Sequence, residues 1–277
     1  MQVDDLDISH LRLHIIRAYQ VQDLRGIKMM MPALCRIRRG TKVVQWGEHI
    51  ESADIEQLIL FPSGYDLRVA NLPVGGRYLA EIIYLPPDLI ERFKQRYPSA
   101  ATEAKEARFC VPLNAELLYC WEHMSSAIQQ KLSPPLLEHA IQGVLLSLKN
   151  AGWIDILLQE RFDSTLSRCQ KLLMLDPAAS WTAEKAAQKL HVAASTLRRR
   201  LAAEKSSFRE ILDDIRLGNA LNAIQTTNAP IGEIARENGY LCPSRFTARF
   251  HKRFHITPRA LRQTMKNSQP KAEVIME

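Results

Sequence analysis

Residues 231–258 read IGEIARENGYLCPSRFTARFHKRFHITP, and the spacing of small, apolar and basic residues in this stretch decides the fold of the C-terminal part of the chain. Ala235 sits in a leading helix, Gly239 makes a turn, and Pro243 stands where a first helical position is expected. Phe246 and Phe250 then face inward, which leaves Ser244, Arg245, Thr247 and Arg249, followed by Lys252 and Arg253, on the outer face. A small residue lets two helices cross closely, a turn of about three or four residues sets their angle, and the second helix keeps polar groups outward for a major groove. The stretch therefore reads as a helix-turn-helix unit.

A degenerate copy lies upstream. Ala187 plays the part of Ala235, the turn falls around His191 to Ala194, and a second helix begins near Ser195 with Leu197 and Leu201 inward. Arg198, Arg199 and Arg200 supply its outer face. Between the units, a helix from about Phe208 to Thr226 changes the phase of its apolar stripe midway. Phe208, Ile211, Leu212 and Ile215 form one stripe, and Leu217, Ala220, Leu221 and Ile224 form another. A helix that buries different faces at its two ends packs against two bodies. Its length is roughly 28 Å. It would hold two reading helices at nearly the helical repeat of DNA, about 34 Å.

End signals divide the region from Leu166 to Arg262 into seven helices. Thr182 precedes Ala183-Glu184 as an N-cap, Ser207-Phe208-Arg209-Glu210 has capping-box form, and Pro230, Pro243 and Pro258 are placed as first helical residues. Charge marks the same region. Residues 165–265 carry 17 Lys+Arg against 8 Asp+Glu, whereas residues 1–164 carry 18 against 20, so the net +7 of the chain is concentrated in one block. That asymmetry points to a polyanion partner, nucleic acid before an anionic membrane, because no basic amphipathic helix with aromatic anchors is present in the pattern.

Ile231-Gly-Glu-Ile-Ala235, Gly239-Tyr240, Ser244-x-Phe246, Phe250-x-Lys252-x-Phe254 and Thr257-Pro258, with Ser195-x-Leu197, Ser207-Phe208, Arg216 and Ala220, make this region similar to the AraC/XylS family of bacterial transcription regulators. The likeness covers about a hundred residues. It implies a seven-helix DNA-binding domain whose third and sixth helices read bases. The positions so implied are Ser195, Arg198 and Arg199 in the third helix and Pro243, Ser244 and Ala248 in the sixth, Ala248 standing where an arginine is common, so that its contact is expected to move to Arg245 or Arg249. Thr196, Arg245, Thr247, Arg249 and Lys252, from the same two helices, complete the candidate DNA-binding set. Lys205 and His255 occupy turns where the family usually has Gly, a cost wherever φ is positive.

The N-terminal half is read from alternation. Leu11 to Ile15, Cys35 to Ile37, Lys42 to Trp46, Ile55 to Phe61 and Tyr78 to Leu85 are strand-like, punctuated by Pro62-Ser63-Gly64 and Pro73-Val74-Gly75-Gly76. After Pro86-Pro87 helices are expected at about 88–97, 114–131 and 135–149. The last has a broad apolar face from Leu136 to Leu148, which either covers the strands or forms a dimer seam. The expected fold class is α+β. The alternation by itself allows an antiparallel sandwich or a small barrel; the resemblance implies an N-terminal cupin-like β-barrel with a helical dimerisation segment over residues 1–160 (barrel about 1–87, helices about 88–160), then an all-α domain with two helix-turn-helix units joined by a long helix over 161–265 and a flexible tail 266–277.

The function expected is that of a cytoplasmic, sequence-specific transcription regulator, an activator in type. Its partners would be promoter DNA and RNA polymerase, with a small effector or dimerisation served by the N-terminal half. The alternative is an N-terminal protein-interaction module without a small ligand. Arg36, Arg38 and Lys42 on strands are candidates for holding a ligand carboxylate, against the reading of Arg36 and Arg38 as outward strand charge opposite Cys35 and Ile37. Some family members, especially virulence regulators, resemble fatty-acid sensors of this sort. No cofactor, metal or enzymatic role is expected. A metal cupin wants a His-x-His pair, only His49 stands near residues 40–51, and His10 and His14 would lie about 13 Å apart along a strand. Five cysteines without a Cys-x-x-Cys pair read as reduced thiols, and no apolar run is long enough to span a bilayer.

Overall fold

The computed structural model describes residues 11–98, 108–158 and 164–267. Its N-terminal half opens with eight strands, β1 (His14–Ala18), β2 (Gln22–Lys28), β3 (Ala33–Arg39), β4 (Thr41–Trp46), β5 (His49–Ala53), β6 (Gln57–Phe61), β7 (Asp66–Leu72) and β8 (Tyr78–Tyr84). Helix α1 (Pro87–Arg96), strand β9 (Cys110–Pro112) and helices α2 (Ala115–Gln129), α3 (Pro134–Asn150) and α4 (Asp155–Leu158) follow. The strands form two antiparallel sheets, one in the order β1-β8-β3-β6-β9 and the other β2-β7-β4-β5. Among the described residues no ladder joins the two, so of the sandwich and small barrel that the alternation allows the strands form the two-sheet body, and the cupin-like barrel expected from the resemblance is not closed. Both sheets turn apolar residues into one core, in which Val44, Trp46 and Val69 lie with Cys35, Ile59 and Ile82, while Leu34 and Ile83 are buried on the other face of their sheet. The Trp46 and Phe109 rings stack at 3.8 Å between centroids across it.

Most of the apolar face of α3 lies within the chain. Leu137, Ala140, Ile141, Val144, Leu145 and Leu148 are all buried in the same core as the strands and so cover them, while Leu136 of the same helix is exposed. Helix α2 is fastened to the sheet by charge as well as by packing. Arg36 and Arg38 of β3 both bond Glu122 of α2, Arg38 also reaches Glu81 of β8 at 2.9 Å, and Trp121 donates Nε1–H to Glu81 at 2.9 Å. The two arginines thus lie on the face opposite Ile37, but beneath a helix and ion-paired rather than in open solvent.

Seven helices fill the C-terminal part: α5 (Thr165–Met174), α6 (Ala183–Lys189), α7 (Ala194–Ala203), α8 (Phe208–Thr226), α9 (Ile231–Glu237), α10 (Pro243–Phe254) and α11 (Pro258–Thr264). Their ends follow the sequence signals closely. Thr182, Ser207 and Thr257 accept hydrogen bonds from the backbone N–H three residues on, and Pro243 and Pro258 open their helices. Pro230 differs from its expected place, standing at the N-cap with α9 beginning at Ile231. The two apolar stripes of α8 enter two separate cores. Ile211, Leu212 and Ile215 pack with Ala187, Leu197 and Leu201, while Leu217, Ala220, Leu221 and Ile224 pack with Ala235, Phe246 and Phe250.

The two bodies meet through β2, which the alternation pattern did not single out. Leu24 is buried among the residues of the second helical core, and Tyr19 N–H donates to Thr264 C=O at 2.8 Å. A bulge between Leu24 and Ile27 interrupts the period of two, and Gly26 there has φ +61°. A Cβ on Gly26 would come within 2.7 Å of the Arg253 carbonyl oxygen, so close approach of the strand to α10 requires glycine.

Candidate nucleic-acid interface and inter-body cavity

The two helix-turn-helix units share one construction. α6 ends in a Schellman turn, in which Val192 N–H donates to Ala187 C=O and His191 N–H to Gln188 C=O, with His191 left-handed at φ +56°. α9 ends in the same way, Tyr240 N–H bonding Ala235 C=O and Gly239 N–H bonding Arg236 C=O, with Gly239 at φ +76°. The alanines named from the sequence therefore accept the bond that closes each turn, and His191 performs with strain what Gly239 does freely. From these turns α7 and α10 set off with Leu197, Leu201, Phe246 and Phe250 inward.

The opposite faces are open. Ser195, Arg198, Arg199 and Arg200 on α7 are exposed and Thr196 is half-buried; on α10 Pro243, Ser244, Arg245, Thr247, Ala248 and Lys252 are exposed. Arg198 pairs with Glu184, but both side chains are more than half exposed, so a phosphate or base edge competes with the carboxylate on even terms. Arg249 differs from its neighbours. It is half-buried and bonded to both carboxylate oxygens of Asp213 on α8, so a nucleic acid gains it only at the expense of that pair. Arg253, one turn on, is likewise taken by Asp214 at 3.1 Å.

A second feature lies where the two-sheet body meets α8 and α10. A cavity of about 350 Å³ is lined by Ile16, Phe61 and Ile82 of the strands, by Leu11 and Met29 beside them and by Ile215 and Leu221 from α8, together with polar and charged groups that include Lys28, Lys42, Asn71, Asp214 and Gln225. One of these is Lys42. It is fully buried, it donates to Asn71 Oδ1 at 2.5 Å, and burial pushes its ammonium down from the ordinary lysine range. A chain of amides continues from it across the junction, Asn71 Nδ2 donating to Gln22 Oε1 at 2.8 Å, Gln225 of α8 to the same oxygen at 3.2 Å, and Gln22 Nε2 to Thr264 Oγ1 at 2.8 Å. At the mouth Lys28 reaches Asp214 at 3.2 Å. Of the three candidate ligand groups only Lys42 faces this cavity; Arg36 and Arg38 belong to the ion cluster under α2. Gln22, Asn71 and Gln225 carry no signal in a single sequence, because an amide in a strand or helix reads as surface until its neighbours are known.

Among the described residues no group of histidines, cysteines or carboxylates is arranged to hold a metal ion, and no helix is long and apolar enough to cross a membrane. His14 lies in β1 with its ring edge-on to Tyr84, burial lowering its pKa, while His10 falls outside the described residues.

Comparison with known proteins places this geometry in context. Residues 186–264 match the family model of a helix-turn-helix domain. The chain is 31% identical over 118 residues to the transcriptional regulator SirC of Salmonella typhimurium, covering 43% of this chain and 40% of SirC. It is 30% identical over 162 residues to the urease operon transcriptional activator of Escherichia coli, covering 57% and 50%. The chain thus spans half or less of the length of these curated relatives. Among solved structures, an apo ToxT from Vibrio cholerae superposes with a TM-score of 0.68 at 12% identity over 92% of this chain and 97% of that one. The unsaturated fatty acid bound form of ToxT gives 0.65 at 13% identity, over 92% and 95%. The likeness to ToxT is one of fold.

Proposed function

We propose that this chain, whose C-terminal domain belongs to the AraC/XylS family of transcription regulators, is a cytoplasmic, sequence-specific DNA-binding regulator that acts as an activator and has no enzymatic role. The observation that carries the reading is the pair of helices α7 and α10, each presenting an open polar face from a turn of the same construction and joined by α8. Arg198 and Arg199 are the guanine-reading candidates through bidentate bonds, with Ser195 and Thr196 beside them. Pro243, Ser244, Arg245, Thr247 and Lys252 line the second reading face, and Arg249 joins them when it leaves Asp213. The excess of basic residues in 165–265 supplies affinity through counterion release, and the two reading helices supply discrimination. RNA polymerase and a second copy of the chain are the protein partners proposed.

The two-sheet body is proposed to be the sensing module, in the manner of a cupin-like domain. Its ligand would be an apolar chain ending in a carboxylate, which the lining of the cavity favours. Ile16, Phe61, Ile82 and Leu221 give the wall apolar stretches, as ligand sites have, and among its polar groups is a buried lysine with no carboxylate partner among the described residues. ToxT in its fatty-acid-bound form lends support as a protein of like fold. A medium-to-long-chain fatty acid at 100 times its dissociation constant is expected to stabilise the full chain by about 2.7 kcal/mol. Lys42→Met is expected to fold and to lose that response. A thermal shift equal in both proteins removes Lys42 from the ligand site, and a shift absent from both favours the interaction-module reading of the N-terminal half. The DNA reading is tested by selecting duplexes from a random pool with the full chain: enrichment of a motif supports it, and an unenriched pool overturns it.

A further inference from the structure

Each reading unit has its own core against α8, and because apolar attraction is itself non-directional, polar bonds add to what packing sets of the angle between the units. One side chain supplies direction to both. Arg216 stands where the stripe of α8 changes phase, between Ile215 of the first core and Leu217 of the second. Its Nε donates to Pro177 C=O at 2.8 Å and its Nη2 to Ala179 C=O at 2.9 Å. Those carbonyls belong to the turn that feeds Thr182, the N-cap of the first unit. The turn is otherwise closed on itself, Ala179 N–H donating to Asp176 Oδ1 at 3.1 Å and Trp181 Nε1–H to Asp176 C=O at 2.7 Å.

The same guanidinium lies against the second unit. A Cβ on Gly239 would stand 2.7 Å from Arg216 Cζ and Nη2, so the glycine that turns α9 toward α10 also leaves the space the planar group occupies. One flat, charged group therefore touches the entry of one unit and the turn of the other. Asp213 and Asp214, its neighbours on α8, serve the second unit through Arg249 and Arg253. A lysine in place of Arg216 would reach one carbonyl as a point charge and would lack the planar fork.

We propose that Arg216 is a positioning residue that fixes the orientation of α7 relative to α10, and so sets the half-site spacing the chain accepts; this rests on the DNA reading above. Two modules held at a fixed geometry gain avidity only on a site of matching spacing, and a looser joint lowers the gain while tolerating other spacings.

The test uses the full chain and three sets of duplexes derived from the selected motif: both half-sites at the selected spacing, both with two base pairs inserted between them, and one half-site alone. Wild type is expected to lose about tenfold or more in affinity on the inserted duplex. In Arg216→Ala affinity at the selected spacing falls about fivefold or more, the insertion penalty shrinks below about threefold, and single-half-site affinity stays within about twofold of wild type. Arg216→Lys lies between the two. Gly239→Ala, which keeps the arginine but crowds it, relaxes spacing in the same sense, and adds no further relaxation to Arg216→Ala in a double-mutant cycle. An unchanged insertion penalty in Arg216→Ala, or an equal loss on one half-site and two, overturns the proposal. If Arg216→Ala fails to fold, the insertion penalties of Arg216→Lys and Gly239→Ala decide by the same criterion. A wild-type chain that binds none of the duplexes overturns the DNA reading instead, a separate result.

Discussion

On the proposed reading single residues carry the base discrimination, and Arg199 is the sharpest case. It is exposed on α7 with no ion pair in the structure among the described residues, whereas Arg198 has Glu184 beside it. Arg199→Ala is expected to relax selectivity at one base pair by about 1–3 kcal/mol and to leave the rest of the motif unchanged. Competition titrations with singly altered duplexes give the answer, and uniform weakening across all of them would reassign Arg199 to phosphate. Residue-scale strain is also measurable. Lys205 closes α7 in a Schellman turn, its N–H bonding Ala202 C=O and Ser206 N–H bonding Leu201 C=O, at φ +55°. An L side chain in that region costs about 1 kcal/mol. Lys205→Gly is therefore expected to raise the unfolding midpoint in a thermal melt, at the loss of one exposed charge; a lowered midpoint would show that the lysine stem contributes packing there.

At the scale of elements, α8 and the ion cluster under α2 make opposite uses of charge. Asp213 holds Arg249 back from the open face of α10. Removing that competitor in Asp213→Asn is expected to tighten duplex binding and to steepen the dependence on salt by about one phosphate contact. An unchanged slope would mean that Arg249 stays on α8 when DNA is bound. Under α2, the guanidinium of Arg38 above all, joined by Arg36 and opposed by desolvation, holds the Glu122 carboxyl down at about 2. Because the folded value is depressed, the stabilisation is complete above the unfolded value of about 4.3 and is lost as pH falls toward the folded one. Glu122 is about half exposed, so the effect is shallow. Melting midpoints of wild type and Glu122→Gln should differ near neutral pH and converge as pH falls toward about 2. A constant offset would contradict this.

The same elements explain what could be read in advance. Among the described residues five C-terminal helices, α6 and α8 to α11, announce themselves through caps and prolines, which are local signals: Thr182, Ser207 and Thr257 act on an N–H three residues away, whereas α7 starts from Ala193 with no side-chain cap and is read from its inward leucines. The strands β2, β5, β7 and β9 escape that reading. β2 is bulged at Gly26, β5 is a mostly exposed edge strand with little alternation, and β9 has three residues. β7 does alternate, but its last buried position is Asn71, a polar side chain that only the cavity network accounts for. For the site, the faces of α7 and α10 were legible because the inward Leu197 and Phe246 fix which residues point out. The engagement of Arg249 was not, since its partner lies 36 residues away on another element.

At the scale of the whole molecule, the two bodies are joined by a strand, a polar chain and an ion bridge. Leu24 enters the second helical core, Gln22 links Asn71 to Gln225 and Thr264, and Lys28 meets Asp214. Lys42 on the cavity wall is thereby connected through Asn71 to the amides that hold α8 and α11. The most direct test of the central claim, that one chain presents two reading helices to one duplex, is a hydroxyl-radical footprint of the full chain on its selected duplex. Two protected windows about one helical turn apart on the same face of the DNA are expected; a single window, or protection spread evenly around the duplex, would contradict it.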